Sequence, residues 1–133
     1  MLAAFATDAA SGKLGCVVLR CLLVDDSEEF LSSAARLLEA QGFEVVGSAT
    51  SGDEAVELAA ALEPDLALVD IELGHEDGIA LTERLDARVP EIQVVLISAY
   101  EREDLSDLMP ESSAVGFLPK SALGAEAIAK LLR

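Results

Sequence analysis

Apolar residues along this chain alternate between short continuous runs and longer stretches with a three- and four-residue spacing. The first run, Val17 to Val24, is interrupted only by Arg20, and its length and β-branched residues predict a buried strand. A helical pattern follows from Ser27 and continues to Gly42, a residue type typical of the position just past a helix end. The regular pattern therefore begins with a strand followed by a helix.

The same alternation repeats four more times. Apolar runs predict further strands at Phe43–Ser48, Leu66–Asp70, Ile92–Ser98 and Ala114–Leu118. Amphipathic stretches predict further helices at Gly52–Leu62, Gly78–Arg88, Glu101–Leu108 and Ala122–Leu132. Parallel strands need crossover connections and are buried on both faces. Five consecutive strand–helix units therefore specify a doubly wound α/β fold with a five-stranded parallel sheet. A polar, Gly-rich loop is expected after the third strand.

Composition narrows the class of protein. The 133 residues are 52% hydrophobic, and 9 basic against 25 acidic residues give a net charge of −16. This combination predicts a single globular, acidic domain. Binding to nucleic-acid phosphates requires clustered basic residues, whereas the 9 basic residues of this chain are scattered. No apolar run approaches the roughly 20 residues of a membrane span. We therefore expect a cytoplasmic protein with no direct nucleic-acid partner and no membrane partner.

Two features lie at or near the start of the regular pattern. Residues 1–16, rich in Ala, Gly and Ser, are expected to form a mobile N-terminal extension, which leaves one domain over residues 17–133. Cys16 and Cys21 lack metal-ligand spacing and are expected to be buried or incidental thiols.

Polar residues with related chemistry follow several of the predicted strands. Asp25 and Asp26 follow the first strand, Asp70 ends the third, Ser98 ends the fourth, and Lys120 follows the fifth. In doubly wound sheets, ligands bind beyond the carboxyl ends of the strands. Neighbouring acids repel one another unless a cation is present, and Mg²⁺ prefers oxygen ligands. The set therefore predicts a magnesium-assisted phosphoryl-transfer site with a carboxylate nucleophile.

Each of these residues also has an ordinary structural interpretation. Asp26 or Ser27 would serve as the cap of the first helix, and Ser98 as another cap. Lys120 would then be a surface lysine. The functional interpretation depends on the coincidence of matched residues at the ends of strands one, three, four and five.

Five short motifs sharpen that interpretation. They are Leu22-Leu23-Val24-Asp25-Asp26, Leu68-Val69-Asp70-Ile71, Asp77-Gly78, Leu96-Ile97-Ser98-Ala99 and Gly116-Phe117-Leu118-Pro119-Lys120. In this order and spacing, over about residues 19–133, the chain resembles the receiver domain of bacterial two-component response regulators. Nothing follows the last predicted helix beyond Arg133, so we expect the stand-alone, single-domain type. The resemblance implies a flavodoxin-like (βα)5 fold with strand order 2-1-3-4-5.

The resemblance also implies a role for the acidic residues. Asp70 would accept a phosphoryl group from a histidine kinase or a phosphotransfer protein. Asp25, Asp26 and Asp70 would bind Mg²⁺, with the backbone carbonyl of Glu72 as a further ligand.

The resemblance also implies residues that bind the phosphoryl group, change conformation on phosphorylation, or set the rate of dephosphorylation. Ser98 and Lys120 would hold the phosphoryl oxygens. On phosphorylation, Ser98 and Phe117 would move and reshape a partner-binding surface on the fourth helix, fifth strand and fifth helix. Glu72 and Tyr100, each two positions beyond a site residue, would tune the attack of water on the phosphoaspartate.

Three functions stay open from the sequence. The first is a phosphoacceptor receiver that phosphorylates and dephosphorylates itself, acts on an unknown output partner, and is not a turnover enzyme; phosphorylation-dependent dimerisation is left open. The second is a pseudo-receiver that binds partners without phosphorylation, which the complete set of acids, hydroxyl and lysine disfavours. The third is an aspartyl-nucleophile phosphatase, for which Asp70-Ile71-Glu72 gives only a superficial acid-x-acid match.

Overall fold

A computed structural model describes residues 18–74, 76–99 and 113–132 of the chain. Within these ranges five strands form one sheet, namely β1 (Arg20–Val24), β2 (Glu44–Ala49), β3 (Leu66–Asp70), β4 (Gln93–Ser98) and β5 (Gly116–Pro119). Their order in space is β2-β1-β3-β4-β5, and every neighbouring pair is parallel. The doubly wound fold and its 2-1-3-4-5 strand order are thus confirmed.

Helices connect and cover these strands. They are α1 (Glu28–Ala40), α2 (Gly52–Leu62), α3 (Gly78–Arg88) and a last helix (Ala125–Leu131), which follows a 3₁₀ turn at Lys120–Ala122. None of the helices in the described ranges is both long and apolar enough to cross a membrane.

Side-chain caps fix where the first three helices begin. The Ser27 hydroxyl accepts a hydrogen bond from the Phe30 N–H at 3.2 Å, and Ser51 and Asp77 cap α2 and α3 in the same way. Such caps satisfy backbone donors that have no partner inside the helix. Ser27, and not Asp26, is therefore the cap of α1, and Asp26 is left for another role.

The ends of several elements differ from the sequence predictions. β1 begins at Arg20, whereas Val17 lies outside the described residues. β2 and β4 each begin one residue later than predicted. The fifth strand is Gly116–Pro119 instead of Ala114–Leu118, because the parallel register with β4 runs from Gly116 to Pro119. A proline at its end is tolerated because β5 is an outer strand of the sheet.

The last predicted helix, Ala122–Leu132, is wrong at its start. Lys120–Ala122 forms a separate 3₁₀ turn, and the extended backbone of Gly124 delays the helix until Ala125. The predicted polar loop after β3 instead contains a short antiparallel ribbon in which Glu72–Leu73 pairs with Glu76–Asp77. The predicted helix at 101–108 and the predicted extension at 1–16 lie outside the described residues.

The core has two layers, one on each face of the sheet. Side chains along β1 alternate between them: Leu22 and Val24 pack with α2 and α3, whereas Cys21 and Leu23 pack with α1 and the last helix. Burying each large apolar side chain contributes roughly 1.5–3 kcal/mol. Cys21 is completely buried, as expected, and this burial raises the pKa of its thiol well above the usual range.

Candidate functional site

Three carboxylates meet at the carboxyl end of the sheet. Asp25 follows β1 and is fully buried, Asp26 beside it is exposed, and Asp70 ends β3 with 7% exposure. The parallel register places Val24 opposite Val69, so the two strands end at the same level. One oxygen from each carboxylate lies within 4.8 Å of the other two. The predicted clustering of these three acids is therefore found in the fold.

Backbone donors hold two of the carboxylates in place. Asp25 Oδ1 accepts the N–H of Ser27 at 2.8 Å, and Asp70 Oδ1 accepts the N–H of Glu72 at 3.0 Å. In each carboxylate one oxygen is thus used to fix the side chain. The second oxygen, Oδ2, approaches the ammonium group of Lys120.

Lys120 supplies the positive charge at this end of the sheet. Its Nζ lies 2.6 Å from Asp25 Oδ2 and 3.4 Å from Asp70 Oδ2. Burial by itself lowers the pKa of Lys120, but the hydrogen bond to Asp25 and the charges of both acids outweigh it, so the pKa is raised. Lys120 is therefore a charged member of the cluster and not a free surface lysine.

The environment of Asp70 disfavours its negative charge. Burial and the nearby Asp25 raise the pKa of Asp70, whereas the Glu72 N–H and Lys120 lower it, and burial is the largest effect. The net result is a pKa above the ordinary value for an aspartate. A bound cation would relieve the repulsion between Asp70 and Asp25 and would favour the charged form of Asp70.

The raised pKa of Asp70 leads to a prediction for stability in the presence of a chelator. The pKa of Asp70 is higher in the folded protein than in the unfolded chain. Asp70 therefore contributes to stability at pH values below its unfolded pKa, and this contribution is lost as the pH rises through its folded pKa. Asp70→Asn is therefore expected to stabilise the fold at neutral pH, with a gain that shrinks in acid. Urea unfolding at several pH values measures this, and a gain that grows in acid would contradict it.

An open depression of about 700 Å³ lies beside the acids. Its lining comprises Asp26, Asp70, Ile71, Glu72, Gly74, Glu76, Asp77 and Ala99. Glu76 was not singled out by the sequence, yet its Oε1 accepts the N–H of Gly52 at 2.5 Å and its Oε2 lies 3.5 Å from Arg84. Arg84 in turn contacts Asp53 at 2.8 Å. Glu76 therefore ties the loop after β3 to the start of α2, a contact that no local sequence pattern indicates.

Gly78 allows that loop to turn tightly below Asp70. Its N–H donates to the Ile71 carbonyl at 2.7 Å, and a Cβ at this position would overlap the Asp70 carbonyl oxygen and lie 2.8 Å from Ile71 Cα. Because backbone atoms cannot rotate away, Gly78→Ala is expected to lower the free energy of unfolding by about 1–3 kcal/mol. Gly124→Ala is the matched control, since its nearest neighbour is Gln41 Oε1 at 3.6 Å. Equal unfolding midpoints for the two variants in urea would contradict this explanation.

The structure describes three of the four remaining predicted residues, namely Ser98, Phe117 and Glu72. Ser98 is buried at the end of β4, next to β3, in register with Pro119. Phe117 is half-buried in β5 and packs against the core layer formed with α2 and α3. Glu72 is exposed and lines the depression, whereas Tyr100 lies outside the described residues.

The same arrangement of fold and motifs is found in known proteins. Residues 21–133 match the family of response regulator receiver domains. The chain belongs to this family. Its fold and its receiver identity, both implied by the sequence motifs, are thereby confirmed.

Individual relatives show how far the likeness of this receiver extends. It is 33% identical over 110 residues to the transcriptional regulatory protein LiaR of Bacillus subtilis, covering 82% of this chain and 52% of LiaR. It is 29% identical over 117 residues to the response regulator GacA of Pseudomonas aeruginosa, covering 87% of this chain and 54% of GacA. The chain thus spans about half the length of these curated relatives.

Solved structures give the same fold. The signal receiver domain of the response regulator NarL from Mycobacterium tuberculosis superposes with a TM-score of 0.75 at 29% identity, covering 85% of this chain and 94% of that one. A response regulator from Burkholderia pseudomallei also gives a TM-score of 0.75 at 29% identity, covering 86% and 66% of the two chains. That structure contains a phosphorylated aspartic acid, a calcium ion and citrate.

Proposed function

We propose that this receiver accepts a phosphoryl group on Asp70, from a histidine kinase or a phosphotransfer protein, in a Mg²⁺-dependent reaction. The observation that carries the proposal is the meeting of three carboxylates and one ammonium group at the end of β1 and β3, beside an open depression. The phosphorylated aspartate in the similar Burkholderia pseudomallei structure supports the same chemistry here.

The donor set fits a magnesium ion. Three carboxylate oxygens within 4.8 Å of one another are hard ligands of the kind that Mg²⁺ prefers. Asp25 Oδ2 is buried and lies 2.6 Å from the Lys120 ammonium group, which is the polar contact recorded for it among the described residues. Asp26 is exposed and borders the depression, so water ligands and a phosphoryl group have room to approach. We propose that Asp25, Asp26, Asp70 and the Glu72 carbonyl hold the ion.

The chain's own groups supply the remaining chemistry. A carboxylate oxygen of Asp70 forms a bond to phosphorus while the phosphorus–nitrogen bond of the donor histidine breaks, and the nitrogen keeps the electron pair. Lys120 neutralises charge on the transferring group, and the Ser98 hydroxyl donates to a second phosphoryl oxygen. Bound Mg²⁺ would polarise the phosphoryl group and offset the negative charge of the acids.

We also propose the roles that the receiver family implies for the output side. Phosphorylation adds charge and acceptor oxygens, which bias Ser98 and Phe117 toward a second arrangement that an output partner recognises. Glu72 and Tyr100 would set the rate at which water removes the phosphoryl group. We further propose that the receiver acts in the cytoplasm, with one domain over residues 17–133.

Intact mass spectrometry tests the proposed function. The protein is incubated with a small acyl phosphate and Mg²⁺ and, in a separate experiment, with phosphorylated candidate histidine kinases. We expect the mass of one phosphoryl group to be added, with the label on the peptide that contains Asp70. No adduct with any donor would favour a pseudo-receiver, whereas repeated turnover of phosphomonoesters would favour a phosphatase.

Magnesium is expected to stabilise the protein through Asp26. At about 100 times its dissociation constant, a ligand that binds only the folded state adds about 2.7 kcal/mol to the free energy of unfolding. Asp26 is exposed, so Asp26→Asn should leave the metal-free protein almost unchanged and remove most of the gain. Thermal unfolding with and without Mg²⁺ measures this. Asp86→Asn, on the surface of α3, is the matched control and should keep the gain; an equal loss in both variants would contradict a specific site.

A further inference from the structure

Lys120 has a third neighbour besides the two acids. Its Nζ lies 4.2 Å from the centre of the Phe30 ring, a distance at which an ammonium group is attracted to the π face. Phe30 lies in the first turn of α1, and its backbone N–H donates to the Ser27 hydroxyl. The helix cap that begins α1 therefore fixes the backbone of the residue whose ring lies beside Lys120.

We propose that Phe30 is a positioning residue for Lys120. Its ring holds the ammonium group beside Asp25 and Asp70, where it would meet the oxygens of a phosphoryl group on Asp70. This inference rests on the proposed function, since it assigns to Phe30 a part in the use of Lys120 during phosphoryl transfer.

The contact of Lys120 with the Phe30 ring depends on different forces from its ion pairs with Asp25 and Asp70. The ion pairs to Asp25 and Asp70 depend on the negative charge of those carboxylates. A cation that binds the same carboxylates weakens their attraction for the ammonium group, because the local charge is then partly neutralised. The attraction of the ring for the ammonium group does not need those charges. Phe30 would thus keep Lys120 in place at the stage when a metal ion occupies the acids.

The partly buried ammonium group makes this contact effective. The Lys120 side chain is only 20% exposed, so little water competes with the ring. A lysine side chain otherwise loses considerable rotamer freedom when it is held in one position. A ring that has already been ordered by α1 lowers the number of arrangements open to Lys120 before the phosphodonor arrives.

Phe30 also packs against the core layer that contains Cys21 and Leu38. A change at Phe30 would therefore affect stability even if the ring had no influence on Lys120. Phe43 belongs to the same core layer and is 8% exposed, so Phe43→Leu removes a ring from the same layer and serves as the matched control.

The experiment compares Phe30→Leu, Phe30→Tyr and Phe43→Leu with the unchanged protein. A small acyl phosphate is the donor, so that contacts of α1 with a kinase play no part. We expect phosphorylation to slow by about three- to tenfold in Phe30→Leu, as the loss of a partly desolvated cation–π contact implies. Phe30→Tyr keeps an aromatic ring and should be phosphorylated at the rate of the unchanged protein. Phe43→Leu should also keep that rate, despite its reduced stability.

Nuclear magnetic resonance of the unphosphorylated protein supplies an independent measurement. The ring current of Phe30 should move the Lys120 ε-methylene resonances upfield, and this shift should vanish in Phe30→Leu and persist in Phe30→Tyr and Phe43→Leu. The persistence of the shift on addition of Mg²⁺ would support the proposal further, and its disappearance would overturn it.

The outcomes separate this inference from the proposed function. If the unchanged protein is labelled and Phe30→Leu is labelled equally fast, the positioning role is overturned and Asp70 phosphorylation stands. If Phe30→Leu and Phe43→Leu slow by the same factor, the effect is one of stability and the inference is again wrong. If the unchanged protein takes no label from any donor, the proposed function fails and the inference fails with it.

Discussion

Asp70→Asn is expected to abolish the phosphoryl adduct while the fold stays intact. Asparagine has the same shape, and its amide oxygen can still accept the N–H of Glu72, which Asp70 Oδ1 now accepts at 3.0 Å. The amide lacks the negative charge of a carboxylate and is a poor nucleophile toward phosphorus. Intact mass after treatment with an acyl phosphate and Mg²⁺ should therefore show label on the unchanged protein and none on the variant.

Two further measurements make this result specific. Circular dichroism and urea unfolding should show that Asp70→Asn is folded and at least as stable as the unchanged protein at neutral pH, as its raised pKa implies. Asp86→Asn makes the same chemical change on an exposed face of α3 and should be labelled normally. Persistent labelling of Asp70→Asn would instead place the phosphoryl group on another acid of the cluster, with Asp26 as the first candidate.

Lys120→Met is expected to have the second-largest effect, and to act on both stability and chemistry. Methionine keeps an unbranched apolar side chain but leaves the fully buried Asp25 without its charged partner at 2.6 Å. Removing one member of a buried ion pair costs about 3 kcal/mol or more. Loss of a preorganised positive group should also slow adduct formation by about 10²-fold.

Magnesium distinguishes the two effects of Lys120→Met. A cation bound by the acids would replace part of the lost positive charge, so Mg²⁺ should restore more stability to the variant than it adds to the unchanged protein. It should not restore the rate, because the ammonium group that faces the phosphoryl oxygens is still missing. Lys130→Met, an exposed position on the last helix, is the control for charge. A Lys120→Met variant as stable as this control would contradict the structural role of the ion pair.

The sheet was predictable because its strands are nearly continuous apolar runs. Every residue of β3 is buried, and so are four of the five residues of β1, which is why these segments stand out in the sequence without any partner being known. The sequence allowed two caps for α1, since both Asp26 and Ser27 have suitable side chains. Only the hydrogen bond from the Phe30 N–H to Ser27 assigns the cap and leaves Asp26 to the acidic cluster.

The errors occurred where the local pattern is weak. The helix predicted at Ala122–Leu132 depended on an apolar side formed by Ile128, Leu131 and Leu132, all in its second half. At its start the structure instead has a 3₁₀ turn and a separate helix. The ribbon between Glu72–Leu73 and Glu76–Asp77 was also missed, since two-residue strands carry no periodic signal.

By itself the sequence determined the class of fold, the order of its elements and the strand-end positions of Asp25, Asp70 and Lys120, because hydrophobic periodicity depends on local spacing. Tertiary structure alone decided which groups touch. The 2.6 Å ion pair of Lys120 with Asp25 and its 4.2 Å contact with Phe30 join residues about 90 or more positions apart. Such contacts depend on how strands and helices pack in three dimensions, and no spacing along the chain encodes them.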